Sequence, residues 1–158
     1  MRIGFGYDVH VLTRGETLII GGVTLDNDRG TVAHSDGDVL THAIIDALLG
    51  SVAADDIGAH FPDTEEKWKD ADSVVLLRDI SRILAKAGYT VGNIDSTVVL
   101  QEPRLREHID LMRSNIAEAL RMSVDDVSIK ATTTEGLGPE GRREGVTAYA
   151  MCLVFPLT

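Results

Sequence analysis

Aromatic residues and cysteines are scarce in this chain of 158 residues. Aromatic side chains make up 4% of the sequence, so the core must consist mainly of Val, Ile, Leu and Ala. Cys152 is the only cysteine, which excludes an internal disulfide bond. Because Cys152 lies in the apolar run AYAMCLVF, we expect it to be a buried and inert thiol.

Basic residues are also few, 15 against 25 acidic ones, which gives a net charge of −10. A nucleic-acid-binding protein needs a basic surface to neutralise phosphates, so this balance argues against a nucleic-acid partner. A phosphorylated substrate remains compatible with the sequence. An acidic protein that binds one needs metal ions, local cations or oriented N–H groups to hold the phosphates.

Long hydrophobic runs are absent, and none approaches the roughly 18 residues of a membrane-spanning helix. The first residues also lack the basic-then-apolar pattern of a secretory signal peptide. We therefore expect a cytoplasmic protein with no membrane partner. Its length and its 44% of hydrophobic residues are typical of one globular domain, residues 1–158.

Hydrophobic periodicity predicts alternating strands and helices. Strands are expected at residues 2–12, 17–20, 93–101, 127–134 and 146–155. Helices are expected at residues 36–49 and 72–87 and from Pro103 onward, the last with an apolar stripe of Leu105, Ile109, Met112, Ile116 and Leu120. The segment between the first two helices reads as a long loop with one helical turn. This order predicts an α+β fold, an α/β sandwich in which helices pack on a mixed sheet.

Residues typical of helix ends support the first two helices. Ser35 with Asp38 resembles a capping box before the first helix. Gly50 and Gly88 suit the left-handed position that follows a helix. The same signals place a polar loop between the second strand and the first helix.

The glycine-rich stretch from Gly136 to Gly141 formally matches the G-x-G-x-x-G pattern of dinucleotide-binding proteins. That pattern must lead directly into a helix, whereas here Pro139 lies inside it and a predicted strand follows. We therefore favour a flexible loop between strands over a dinucleotide site. Arg142 and Arg143 could still meet an anion there.

Asp8 and His10 interrupt a first strand that is otherwise apolar, aromatic or glycine after Arg2, as in a buried strand. Residues two apart in a strand share a face, so both side chains point the same way. An edge strand with exposed polar groups explains the pair without any function. A half-built metal site explains it as well.

His42 lies in the first helix, with Asp38 and Asp46 one turn to either side. A solvated helix face is the simplest explanation of these three residues. Combined with Asp8 and His10, however, His42 completes a three-ligand divalent-metal set with an open position, typical of catalytic zinc. The same ligands could hold non-haem iron in a facial triad.

Six segments of the sequence, taken in the order in which they occur, resemble the motifs of a known family. They are GYDVH at 6–10, AHSDGDVLTHAIIDALLG at 33–50, DIGAHFPDT at 56–64, ADS at 71–73, GNID at 92–95 and KATTTEGLG at 130–138. Together they resemble the 2-C-methyl-D-erythritol 2,4-cyclodiphosphate synthase family of non-mevalonate isoprenoid biosynthesis. The resemblance covers nearly the whole chain.

The resemblance implies a homotrimer whose sheets face the threefold axis, with active sites between neighbouring subunits. The implied substrate is 4-diphosphocytidyl-2-C-methyl-D-erythritol 2-phosphate. Its 2-phosphate would attack the β-phosphorus of the diphosphate, expel CMP and close a cyclic diphosphate, so that the enzyme would be a phosphorus–oxygen lyase.

Metal and phosphate ligands also follow from the resemblance. Zn²⁺, or another divalent transition metal, would be held by Asp8, His10 and His42, and Mg²⁺ or Mn²⁺ between the phosphates by Glu135. His34 and Thr133 would be catalytic, contacting phosphate and stabilising the transition state respectively. The expected phosphate contacts and their neighbours are Ser35, Lys130, Ala131, Thr132 and Thr134.

Two further segments are implied to bind the ends of the substrate. The methylerythritol portion would lie against Asp56, Ile57, Gly58, Phe61, Pro62, Asp63, Thr64 and Glu65. The cytosine would lie against Leu100, Gln101, Glu102, Pro103, Arg104, Leu105 and Arg106, largely through their backbone groups.

Two positions depart from the family. Position 5 is Phe5, often a histidine in relatives, and is not expected to touch the chemistry. Residue 139 is often a phenylalanine at the trimer axis, around an apolar cavity that could hold an isoprenoid diphosphate; here it is Pro139. Arg142 is present, so the resemblance still implies an anion contact near that axis. A metal-stabilised trimeric scaffold or an isoprenoid-binding module remains as a non-enzymatic alternative.

Overall fold

Five strands form one mixed sheet in the computed structural model, which describes residues 1–157. The strands of the described chain are β1 (Arg2–Arg14), β2 (Leu18–Ile20), β3 (Val23–Leu25), β4 (Arg29–Thr31), β5 (Tyr89–Val99), β6 (Val127–Thr132) and β7 (Gly145–Pro156). The order in the large sheet is β4-β1-β7-β5-β6, with β2 and β3 forming a separate hairpin. The β5–β6 pair is parallel and the other pairs are antiparallel.

Helices cover one face of this sheet. They are α1 (Val39–Ser51), α2 (Ile57–His60), α3 (Ser73–Lys86), α4 (Ile109–Leu120) and α5 (Gly138–Gly141), with 3₁₀ turns at Glu66–Trp68 and Val124–Asp126. α1 packs on β1 and β7, α3 on β5, and α4 on β6. The predicted α+β fold with a mixed sheet is confirmed. None of the helices within residues 1–157 has the length and apolar character needed to cross a membrane.

Two glycines bring α1 unusually close to β1. A Cβ atom at Gly4 would lie 1.7 Å from the carbonyl oxygen of Ala47, and one at Gly6 would lie 1.9 Å from that of Ala43. Only glycine permits this approach of helix to strand. The next inward positions of β1 are Asp8 and His10, so the close packing also aims these side chains at α1.

A buried carboxylate fixes the start of α1. Asp38 is the N-cap, and its side chain accepts hydrogen bonds from the backbone and hydroxyl of Thr41 at 3.0 and 2.8 Å. It also accepts the N–H groups of Gly21 and Gly22 at 2.9 and 2.7 Å. Both glycines have positive φ, as the tight β2–β3 turn requires. Asp38 therefore ties this hairpin to the first turn of α1.

Several predicted boundaries were wrong. α1 begins at Val39 because Asp38, rather than Ser35, caps it, and Gly50 lies inside the helix. The third long helix begins at Ile109, because residues 101–108 form bends and turns around a cis peptide bond before Pro103.

The loops also contain more structure than predicted. The supposed polar loop after β2 holds β3 and β4. The 51–71 segment holds two helical turns instead of one, and the glycine-rich loop holds α5. The start of α3 after Asp72 and its end before Gly88, which has φ 84°, agree with the prediction.

The uncovered face of the sheet is apolar along β1 and β7. On β1 the outward side chains Ile3, Phe5 and Val11 are each at least 60% exposed. Their neighbours on β7 include Met151, which pairs with Phe5, and Tyr149, which pairs with Tyr7. The expectation of a strand buried on both faces was therefore wrong for this chain alone. A contiguous apolar surface of this kind is typical of protein–protein contacts.

Cys152 is buried on the inner face of β7, and its thiol donates to the carbonyl of Ala47 at 3.3 Å. Burial raises the pKa of this thiol, so less thiolate is present at any given pH than in an exposed cysteine. We expect iodoacetamide at about pH 8 to modify the native protein at least about 100-fold more slowly than the denatured chain. Mass spectrometry of timed reactions measures both rates; similar rates would contradict a buried thiol.

Candidate metal centre and active site

Asp8, His10 and His42 meet at one point between β1 and α1. Oδ2 of Asp8 lies 3.0 Å from Nε2 of His10 and 3.0 Å from Nδ1 of His42, and the two nitrogens are 3.1 Å apart. In a tetrahedral site with metal–ligand bonds of about 2.0–2.1 Å, ligand atoms are about 3.3 Å from one another. Three such atoms at nearly equal separations therefore fit a divalent ion with its fourth position open.

This cluster is also electrostatically biased towards binding a cation. Although burial by itself raises the pKa of Asp8, hydrogen bonds and charge from His10 and His42 lower it to about 2. Asp8 is therefore ionised throughout the physiological range. Burial by itself lowers the pKa of His42, but the Asp8 carboxylate outweighs it and raises this pKa overall.

The two explanations without a function, exposed polar groups on β1 and a solvated face on α1, were both wrong. Asp8 and His10 are half-buried and point towards α1. Asp38 and His42 are buried, so α1 has no solvated face along them. Asp46 is half-buried and accepts the N–H of Ile57 at 2.8 Å, which anchors the start of the 56–65 segment.

A cleft of about 430 Å³ opens over the cluster of Asp8, His10 and His42, and all three residues line it. Its lining includes most of the segment predicted to bind the sugar: Ile57, Gly58, Phe61, Pro62, Asp63 and Thr64. His34 and Ser35 line the same cleft. Asp56 does not, because its side chain caps α2 by accepting the N–H of Ala59 at 2.9 Å. Glu65 does not either, and pairs with Lys67.

A second cleft, of about 500 Å³, contains most of the other predicted residues. Its lining includes Leu100, Gln101, Pro103, Arg104, Leu105, Arg106, Lys130, Ala131, Thr132, Thr133 and Glu135. The two clefts share no lining residue. The residues predicted to bind one substrate are thus divided between two surfaces of the chain.

Several predicted contacts lie outside both clefts. Glu102 pairs with Arg143 at 3.3 Å, and Thr134 donates to the carbonyl of Leu137. Arg142 forms an exposed bidentate pair with Glu144 at 3.0 and 2.9 Å. Pro139 lies in the first turn of α5. Of these four residues of the described chain, none lines either of the two clefts.

Glu135 has the left-handed φ of 55°, which is unusual for a residue other than glycine. Its carboxylate accepts from the hydroxyl of Thr133 at 3.1 Å, so both groups sit at the rim of the second cleft. Strained backbone of this kind concentrates at binding sites. Lys130 in the same cleft is hydrogen-bonded to Asp95 on the neighbouring strand, and this contact lowers the pKa of Asp95.

Sequence reasoning missed several residues of these clefts. Trp68 and Leu76 line the first, and Ile109 and Ile129 line the second. Their only signal was apolar character, which core residues share. Ser73 was also missed, although the segment ADS was singled out, because its contact with His42 depends on the packing of α3 against α1.

A three-ligand Asp/His/His cluster that lines a cleft on an α+β sandwich is typical of metal-dependent enzymes. Comparison with known proteins narrows that class. The sequence profile of the YgbB family matches residues 1–155. A 2-C-methyl-D-erythritol 2,4-cyclodiphosphate synthase of Salinibacter ruber is 59% identical over 154 residues, covering 98% of each chain.

Solved structures agree. The bifunctional IspDF of Campylobacter jejuni superposes with a TM-score of 0.93 at 39% identity, covering 98% of this chain. The match covers 42% of that longer chain. IspF of Plasmodium falciparum, in a complex with CDP, superposes with a TM-score of 0.87 at 32% identity. The match covers 99% of this chain and 97% of that chain. This chain therefore belongs to the 2-C-methyl-D-erythritol 2,4-cyclodiphosphate synthase family, the YgbB family.

Proposed function

We propose that this protein converts 4-diphosphocytidyl-2-C-methyl-D-erythritol 2-phosphate to 2-C-methyl-D-erythritol 2,4-cyclodiphosphate and CMP, in the cytoplasm, as one domain. The observation that carries the proposal is the Asp8, His10 and His42 cluster at the floor of the cleft formed by the 56–65 segment. Family membership supplies the substrate, since the relatives carry this synthase name.

The reaction exchanges one phosphorus–oxygen bond for another. An oxygen of the 2-phosphate attacks the β-phosphorus, and the bond from the β-phosphorus to the bridging oxygen breaks. CMP leaves with that electron pair. The nucleophile is already an anion, so no strong base is needed; the protein has to fold the substrate back on itself and neutralise the growing charge.

We assign Zn²⁺ or another divalent transition metal to Asp8, His10 and His42, and Mg²⁺ or Mn²⁺ to Glu135 together with the diphosphate. When bound, these ions would neutralise charge on the phosphates. Asp8, His10 and His42 all line the first cleft, which supports this assignment. The iron-oxygenase alternative shares the ligands, and metal analysis with an oxygen-uptake assay separates the two.

Neighbouring side chains orient the phosphates. Nε2 of His34 has no hydrogen-bond partner in the described chain, and His34 lines the first cleft, so we assign it as a donor to a phosphate oxygen. Ser35 lies beside it in the cleft. Thr133, whose hydroxyl donates to Glu135 in this structure, would turn that donor to an oxygen of the attacked phosphate and stabilise the transition state there. Lys130 bonds Asp95 in this structure; when its ammonium group turns from Asp95 to the substrate, it offsets the charge of the cytidyl diphosphate.

The two ends of the substrate occupy different clefts. The methylerythritol portion fits beside Gly58 and Asp63, whose carboxylate accepts hydrogen bonds from hydroxyls. The cytosine fits the second cleft, lined by Leu100 and residues 103–106. A solved relative binds CDP, which supports a cytidine nucleotide as the ligand class.

The two clefts share no lining residue. We call the first, over Asp8, His10 and His42, the metal cleft, and the second, which we assign to the cytosine, the base cleft. We further propose a homotrimer in which each active site joins the metal cleft of one subunit to the base cleft of its neighbour. The exposed apolar face of β1 and β7 supplies the contact surface around the threefold axis. In the same proposal an isoprenoid diphosphate binds in the cavity at that axis, next to Pro139, and Arg142 contacts its phosphates.

The test is a direct assay. Purified protein with Zn²⁺ and Mg²⁺ is expected to convert the cytidyl substrate to CMP and the cyclic diphosphate in equal amounts, as followed by ³¹P NMR. Chelator-treated protein is the control, with activity restored by added metal. Absence of CMP release coupled to cyclic product would overturn the proposal.

A further inference from the structure

His42 uses both of its ring nitrogens. Nδ1 faces Asp8 and His10, at 3.0 and 3.1 Å. On the opposite side of the ring, Nε2 lies 2.8 Å from Oγ of Ser73, the first residue of α3, and 3.2 Å from Oγ of Ser35. Ser73 is fully buried, so water does not compete for this contact. Of the two contacts of Nε2, the one with Ser73 is both the shorter and the better shielded from water.

Asp36 determines the direction of the bond between His42 and Ser73. Its carboxylate accepts the backbone N–H of Ser73 at 2.9 Å and also the hydroxyl of Ser73. An ionised carboxylate can only accept, so the single hydroxyl proton of Ser73 points to Asp36. The lone pairs of Ser73 Oγ then face His42. For this contact to be a hydrogen bond, Nε2 of His42 must carry the proton.

Nδ1 faces the carboxylate of Asp8 at 3.0 Å, which also only accepts, so in the metal-free protein acceptors on both sides of the ring favour a proton on each nitrogen. A divalent ion bound at Nδ1 would replace the proton there, and the one remaining ring proton would then lie on Nε2 and face Ser73. We propose that Ser73, held by Asp36, is a positioning residue that fixes the tautomer and ring orientation of His42 for divalent-metal binding. This inference rests on the proposed metal site. Partners of this kind, on the far side of a ligand, typically contribute 10- to 100-fold to metal affinity, as an order of magnitude.

The first measurement is on the unaltered protein loaded with Zn²⁺, because the Asp8 carboxylate favours a proton on Nδ1 when no metal is bound. With ¹⁵N-labelled histidine, long-range ¹H–¹⁵N correlation is expected to show the His42 proton on Nε2, protected from exchange with water by its bond to Ser73. Replacing Ser73 removes the acceptor, so Ser73→Ala is expected to speed that exchange. A wild-type chain whose His42 carries no proton on Nε2 overturns the inference, whether or not any variant folds.

The second measurement is metal affinity, by competition between the protein and a chromophoric chelator for Zn²⁺ or Co²⁺. Ser73→Ala and Asp36→Asn are expected to bind more weakly, by about 10- to 100-fold for Ser73→Ala. Ser51→Ala is the matched control: it removes a buried serine hydroxyl from α1 that bonds the carbonyl of Leu48 at 2.7 Å, away from the cluster. It is expected to keep wild-type affinity.

The outcomes separate the two proposals. Wild-type affinity in Ser73→Ala, or equal loss in Ser51→Ala, overturns the positioning role and leaves the metal site intact. A wild-type protein that binds neither Zn²⁺ nor Co²⁺ overturns the metal site and the positioning role together. Circular dichroism of each variant checks that the fold is retained.

Discussion

Replacing Asp8 by asparagine is expected to remove the transition metal and to lower turnover by about 1,000-fold or more. The carboxylate oxygen that would be lost is the one that lies 3.0 Å from each of the two imidazoles. An asparagine has the same shape, but it is neutral and presents either a weaker oxygen ligand or an amide N–H to the cation. The metal content of the purified variant and its CMP release measure the two effects.

Asp125→Asn is the matched control for this variant, because Asp125 is an exposed carboxylate in the 3₁₀ turn Val124–Asp126 and lines neither cleft. It is expected to retain both metal and activity. If Asp8→Asn keeps activity within tenfold of wild type, the proposed role of the cluster is wrong. If it instead lowers the melting temperature and the wild type shows no turnover, the metal is structural and the scaffold alternative holds.

The metal cluster could be predicted from sequence because its signals are local. Alternation along β1 places Asp8 and His10 on one face, and the register of α1 exposes His42 to that face. The structure brings the three together, as expected. The start of α1 was predicted less well, because Ser35 and Asp38 are both good capping residues. What selects Asp38 is the pair of N–H groups from Gly21 and Gly22, which lie 16 or 17 residues earlier.

That hairpin had its own signal, since two glycines between short apolar runs favour a tight turn. The contacts of Ser73 had none. Ser73 and Asp36 are 37 residues apart, and Ser73 and His42 are 31 apart. A serine one residue after a helix cap is common, so only the packing of α3 beside α1 identifies its partner. Tertiary contacts of polar groups are the part of this site that patterning does not encode.

The sheet face provides the second prediction of large effect. Phe5 is 60% exposed on β1 and faces Met151 across the strand pair, which is itself 50% exposed. In the proposed trimer these side chains are buried. Phe5→Asp is therefore expected to dissociate the assembly, since each subunit loses about 2 kcal/mol of apolar burial and gains a carboxylate in the contact. Activity is expected to fall with assembly.

Leu111→Asp is the control for this substitution. Leu111 is 55% exposed on α4, which packs on the opposite side of the sheet, so a charge there alters surface polarity without touching β1 or β7. Light scattering coupled to size-exclusion chromatography measures the mass of both variants. A Phe5→Asp variant that remains as large as the Leu111→Asp variant contradicts the proposed contact face.

Mixing two inactive variants tests whether the sites are shared. Asp8→Asn damages the metal cleft and Glu135→Ala damages the base cleft, so each homotrimer has only defective sites. In trimers assembled from equal amounts of both, a site built from two neighbours escapes both defects in about a quarter of cases, because each half comes independently from either variant. Recovery of about a quarter of wild-type CMP release after co-refolding is therefore expected. If every site lies within one subunit, mixing restores no activity, since each chain keeps its own defect.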